Sequence, residues 1–241
     1  MEANTETLKI LYHLSFQGID LSITSATLAI WGTAILVFLV AFLATRKPTL
    51  IPGKMQNFVE IIYEFLENQT EDLLGNEKER WVPFLFCLFC FIVVANLFGL
   101  IPGVYPITAN INVSATLALI VFVVYNIAGI RAHGVGYYFK SMIPKGIPVF
   151  IVPFMFLIEL IGHIARPFSL AIRLFANMTA GHLVALTILS LIFVFKSVWV
   201  AGFPLLGKVA VNMFDVFISL VQGYVFAYLA ALYISLAINE E

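Results

Sequence analysis

From Trp81 to Ile130 the chain contains no Asp, Glu, Lys or Arg. Fifty consecutive uncharged residues hold two of the ~20-residue apolar segments that cross a bilayer. A soluble core cannot account for them, because the surface of a soluble domain must still be hydrated. Over all 241 residues 61% are hydrophobic and 11% are charged, with a mean hydropathy of +1.00. Soluble domains carry about 25% charged residues. The composition therefore predicts a polytopic membrane protein that forms a single membrane domain, residues 1–241.

The remaining segments follow from the same pattern. Residues 1–22 form an N-terminal segment that is acidic at its start ("MEANTETLKI") and has no signal-peptide pattern. Residues 23–45 are a first span, closed by "RKP". Residues 54–80 carry Glu60, Glu64, Glu67, Glu71, Asp72, Glu77 and Glu79 among Phe58, Ile61, Ile62, Phe65 and Leu66. The apolar positions recur at helical spacing, which predicts an amphipathic helix at the membrane interface. Residues 81–101 and 113–130 are the second and third spans.

Residues 147–195 are mostly apolar yet hold Glu159, His163, Arg166, Arg173, Asn177 and His182. Residues 205–238 form a last apolar run of 34 residues. As a helix that run is ~51 Å long against a ~30 Å hydrocarbon core, so it must tilt, bend or project. Pro148, Pro153 and Pro167 give the preceding stretch places to kink.

Loop charge sets the orientation. An outside N-terminus puts Arg46, Lys47, Lys54, Lys78, Arg80, Arg131, Lys140 and Lys145 on the cytoplasmic side, with Lys9, Lys196 and Lys208 outside. This supports N-out for the first three spans. It does not decide whether 147–195 crosses once or twice.

Each helical residue turns by ~100°, so side-chain azimuths can be read from spacing. With Glu159 at zero, His163 lies near ~40°, Arg166 near ~−20°, Arg173 near ~−40° and Asn177 near ~0°. With Asp215 at zero, Lys208 lies near ~20°, Asn212 near ~60°, Ser219 near ~40° and Gln222 near ~−20°. A charge at bilayer depth costs at least ~2.5–3.5 kcal/mol, so such groups face a bundle interior, a wet cavity or a partner. Two aligned stripes point to a polar path between successive helices. Buried ion pairs that fix helix register are the competing explanation.

Arg173 stays protonated and cannot relay a proton, so it attracts an anion or repels a cation. Glu159 is ~21 Å away along a straight helix, too far for direct pairing. A carboxylate from elsewhere is the sharper expectation.

The string "RPFSLAIRLFANMTAGH" strongly resembles the signature helix of subunit a of F-type ATP synthases. "DVFISLVQGYVFAYLAALYISLA", with Gln222, is similar to that family's final helix, and "ANLFGLIPG" at 95–103 to an earlier span. The resemblance covers nearly the whole chain. It implies an all-α membrane fold of about five crossings, ending in two long tilted helices of which 147–195 is broken.

It also implies a proton-translocating stator subunit, without catalytic chemistry of its own, beside a ring of c subunits that each carry one membrane carboxylate. Two aqueous half-channels would load and unload protons on the ring, with Arg173 between them and Asn177 and Gln222 nearby. Glu159 would line the cytoplasmic path, and His182 and Asp215 the outer one. Many relatives carry Glu and His at those two positions, so the acid and the imidazole are exchanged here. Ser219 and His163, on the same stripes, complete the expected path.

Partners implied are the c-ring, the b subunits of the peripheral stalk, membrane lipid and protons, ahead of sodium. The location implied is a bacterial plasma (inner) membrane, with the C-terminus cytoplasmic.

The leading alternative is a secondary transporter of a small anion with Arg173 as clamp. It would need inverted repeats, and the two halves show no such symmetry. HExxH and GxSxG are absent. Cys87 and Cys90 form a CxxC, but their apolar surroundings read as small helix residues rather than a redox or metal site. His163 and His182 differ by ~100° in facing, which is poor geometry for a shared metal. No cofactor or nucleic-acid partner is expected.

Overall fold

The computed structural model describes residues 10–12, 15–16, 19–20, 23–46, 52–101, 104, 106–136, 148, 150–195 and 198–239. Side chains are described from residue 24 onward, except at 191–203 and in the intervening gaps. The charges at Lys9, Lys47, Lys140, Lys145 and Lys196 fall outside the described residues.

The fold is all-α in its spans. Ahead of them, two short antiparallel strand pairs join β1 (Ile10–Tyr12) to β4 (Ile23–Thr24) and β2 (Ser15–Phe16) to β3 (Ile19–Asp20). Helix α1 (Ser25–Thr45) starts at an N-cap, where the Thr24 hydroxyl accepts from the Thr27 amide at 3.4 Å. Its Trp31, Ile35, Phe38 and Leu39 are exposed, and Thr33 satisfies its own hydroxyl on the Ala29 carbonyl at 2.9 Å. Such a surface suits lipid or a partner helix.

Helix α2 (Lys54–Leu74) buries Leu66, Thr70 and Leu74 and leaves Glu64, Glu71 and Asp72 exposed. Gly75 ends it with φ +50°, where a Cβ would be strained. After a single 3₁₀ turn, α3 (Lys78–Gly99) begins. Lys78 fastens this corner, reaching back to Glu71 at 2.8 Å and Glu67 at 3.3 Å. These two carboxylates, Glu71 foremost through its hydrogen bond, raise the proton affinity of the Lys78 amine.

Helix α4 (Ile111–His133) is capped by Asn110 and stops at Gly134, with φ +79°. It is followed by α5 (Val152–Phe195) and α6 (Val198–Asn239). Among the described residues five helices are long and apolar enough to span a membrane.

Helices α3, α4, α5 and α6 share one core around Leu85, Ile92, Val121, Tyr125, Leu170, Leu174, Phe226 and Ile234. Small residues let α6 approach closely: Ala227, Ala230 and Ala231 have no exposed surface. A Cβ at Gly223 would lie 2.6 Å from Val93 Cγ2.

Helix α6 starts at Val198, seven residues before the apolar run read from sequence. Helix α5 is continuous over its 44 residues, with Pro167 inside it. Proline has no N–H, so the His163 carbonyl four residues earlier loses its usual donor. The Tyr125 hydroxyl of α4 donates to that carbonyl at 3.4 Å. A neighbouring helix thus occupies the freed acceptor, and a break is unnecessary.

The ends of the helices define two sides. The start of α1, the end of α3, the C-terminal half of α5 and the N-terminal half of α6 meet at one side, where Ser25, Ile101, Leu189 and Lys208 line one cavity. At the other side His133 Nε2 bonds the Ile238 carbonyl at 2.8 Å, and Ser235 bonds the Leu73 carbonyl. The described C-terminal end and the start of α1 therefore lie on opposite sides.

Candidate functional site

The polar stripe on α6 faces a cavity of about 590 Å³ between α5, α6 and the end of α3. Lys208, Asn212, Asp215, Ser219 and Gln222 line it from α6, and Asn177 and His182 from α5. Asn96 of α3 joins them.

At its deep end Asn177 Nδ2 donates to Gln222 Oε1 at 2.7 Å, while the Gln222 nitrogen is buried without a hydrogen-bond partner. One turn before Gln222, Ser219 donates to the Asp215 carbonyl at 2.7 Å. The Asp215 carboxylate presses on the α5 backbone, where a Cβ at Gly181 would lie 2.8 Å from Oδ1.

Asn96 lacked an obvious flag in the sequence, because a lone amide in an apolar span reads as packing. Its oxygen is engaged: Thr108 donates to Asn96 Oδ1 at 2.6 Å and Ser114 donates to the Thr108 carbonyl at 2.8 Å, all buried.

Arg173 lies outside the cavity lining. Leu170, Ala171 and Leu174 turn into the core, so Arg173 points away from it and is exposed. Among the described residues it makes no ion pair or hydrogen bond. Asn177 follows it by one helical turn and is also exposed, so the guanidinium stands beside the deep end of the cavity on the outer surface of the helix pair.

The first half of the α5 stripe forms a separate cluster. Arg166 pairs with Glu159 at 3.4 Å and lies 5.7 Å from the centroid of the Tyr233 ring. His163 is 8% exposed and turns to α4, where its Nε2 meets Asn126 Oδ1 at 2.9 Å between the rings of Phe122 and Tyr125. Asn126 could have been noticed as a second amide in an uncharged span. The two stripes thus resolve into a cavity on one side of Arg173 and an ion-paired cluster on the other. Among the described residues no three of His, Cys, Asp and Glu gather as a metal site, and Cys87 and Cys90 are free thiols.

Fold and site together define a multi-span helical membrane protein with a polar-lined cavity between its last two helices. Residues 27–235 match the family model described as ATP synthase A chain. The chain is 36% identical to an ATP synthase subunit a from Rhodospirillum rubrum, covering 96% of this chain and 95% of that protein. It is 35% identical to one from Pelagibacter ubique, covering 97% and 95%. Against a longer relative from Anaeromyxobacter sp. it is 37% identical, covering 92% of this chain and 55% of that one. The chain belongs to the ATP synthase A chain family.

Proposed function

We propose that the chain is the stator subunit that carries protons to and from a ring of c subunits in an ATP synthase, without catalysing bond chemistry itself. The observation that carries this reading is Arg173: a permanent cation, exposed, unpaired among the described residues and flanked by polar groups on both sides. An uncompensated guanidinium at membrane depth calls for an anion from outside. A ring carboxylate is such an anion.

The cavity with His182, Asp215, Ser219, Gln222 and Asn177 is the outer half-channel. The Glu159, Arg166 and His163 cluster marks the inner one. At ~4 Å, with an effective dielectric near 20, Arg173 stabilises a ring carboxylate in its charged form by about 4 kcal/mol. A carboxylate rotating toward Arg173 releases its proton to one path, and the next one leaving takes a proton from the other. Because guanidinium does not titrate, the same charge blocks a direct leak.

Arg46, Lys78, Arg80 and Arg131 belong to helix ends or the corner on the side away from the cavity, and Lys208 to the cavity side. The positive-inside rule then makes the cavity side external and the described C-terminal end cytoplasmic. This suits a bacterial inner membrane. The exposed apolar faces of α1, α5 and α6 are left for lipid, the c-ring and the b subunits.

The test is to reconstitute the complex in vesicles and measure ATP-driven pumping and passive leak. Arg173→Ala should abolish pumping and open a leak, and Arg173→Lys should fail to couple because a desolvated amine can deprotonate. Pumping near the wild-type rate in Arg173→Ala would overturn the assignment.

A further inference from the structure

Lys208 has no role in the path described so far, yet it lines the outer cavity with Asp215 and His182. It sits two helical turns from Asp215 on nearly the same face of α6, with Asn212 between them. Among the described residues it forms no ion pair, so its ammonium is not neutralised by a contacting carboxylate. The charged and titratable groups that face the Asp215 carboxylate are few. From α5 there is His182, with Arg173 two turns farther along; from α6 there is Lys208. The end of α3 presents Asn96, Gly99, Leu100 and Ile101, and α1 presents Ser25, none of them charged.

We propose that Lys208 sets the sign of the potential in this cavity, its positive charge balancing that of Asp215. The proposal rests on the reading of the cavity as the outer half-channel. With both groups charged, the cavity carries no net charge from the pair. Without the ammonium it carries one uncompensated negative charge, with one consequence: mobile cations become enriched over anions. Lysine does this by charge and not by shape, so arginine should replace it.

The experiment uses the assembled complex in vesicles, with Asn212→Cys as reporter and Cys87 and Cys90 replaced by alanine. Cationic and anionic methanethiosulfonates of similar size are compared for their labelling rates at position 212. Lys208→Gln and Lys208→Met should each raise the cationic-to-anionic rate ratio about tenfold, because one unit charge a helical turn (~6 Å) away in water changes each rate about threefold in opposite directions. Lys208→Arg should leave the ratio unchanged.

An unchanged ratio would overturn the proposal. Absence of labelling by every reagent, in complexes that still pump, would show the cavity to be dry and overturn both this proposal and the outer path. Pumping in Arg173→Ala would instead overturn the ring mechanism and leave the labelling result standing.

Discussion

Asn177 and Gln222 join the two long helices by a 2.7 Å hydrogen bond one turn beyond Arg173. Gln222 is 4% exposed, and among the described residues its nitrogen has no partner and its oxygen accepts from Asn177, so the amide pair is a polar tie between α5 and α6 at this depth. Hydrogen bonds between membrane helices average about 0.6 kcal/mol, and loss of one partner strands the other. Replacing both residues by leucine should therefore destabilise the complex by less than the two single changes added together. A double-mutant cycle on its thermal stability checks this; strict additivity would mean that the pair does not couple the helices.

Gly181 is the second contact that fixes the cavity. Its missing Cβ leaves room for the Asp215 carboxylate, since an added one would lie 2.8 Å from Oδ1 and 3.1 Å from Cγ. Helix α5 cannot give way there without moving its backbone, so the carboxylate must shift. Gly181→Ala should slow proton flux several-fold while leaving assembly intact, and Gly181→Val should slow it further. The measurement is driven flux in vesicles at matched subunit content. Wild-type flux in Gly181→Val would show that Asp215 needs no defined position.

The number and order of the spans were legible because an uncharged run of fifty residues admits few alternatives. The stripe on α6 was equally legible, since five polar residues at helical spacing all reached one cavity. The stripe on α5 was not. Azimuth alone put His163, Arg166 and Arg173 together, but helical phase does not say which neighbour each side chain meets. His163 met Asn126, Arg166 met Glu159, and Arg173 met no polar partner among the described residues. The continuity of α5 through Pro167 was also hidden, because its compensating donor, Tyr125, comes from 42 residues earlier in the sequence.

That compensation yields a further test. Tyr125 is 1% exposed, packs edge-on against Phe122 and His163, and donates to the carbonyl that Pro167 leaves free. Tyr125→Phe keeps the ring and removes the donor, so it should cost about 1 kcal/mol of stability. In a Pro167→Ala background the carbonyl regains its helical donor, and the same change should cost markedly less. Equal losses in both backgrounds would separate the tyrosine from the proline.

Glu159 and Arg166 form the one charged pair described in the second cluster, at 3.4 Å, with side chains 35% and 25% exposed. A partly exposed pair of this kind contributes little to stability, so its value must be sought in transport. Glu159→Gln removes the carboxylate and leaves Arg166 against the Tyr233 ring, which makes the inner side more positive and less welcoming to protons. Water can still enter, so flux should fall severalfold rather than vanish, with assembly unchanged. Glu159→Asp should recover part of it, because a shorter carboxylate still supplies charge. The measurement is proton flux in both directions across vesicles containing the complex. Complete loss in Glu159→Gln with normal assembly would make Glu159 an obligatory carrier, and no loss at all would place the inner path elsewhere.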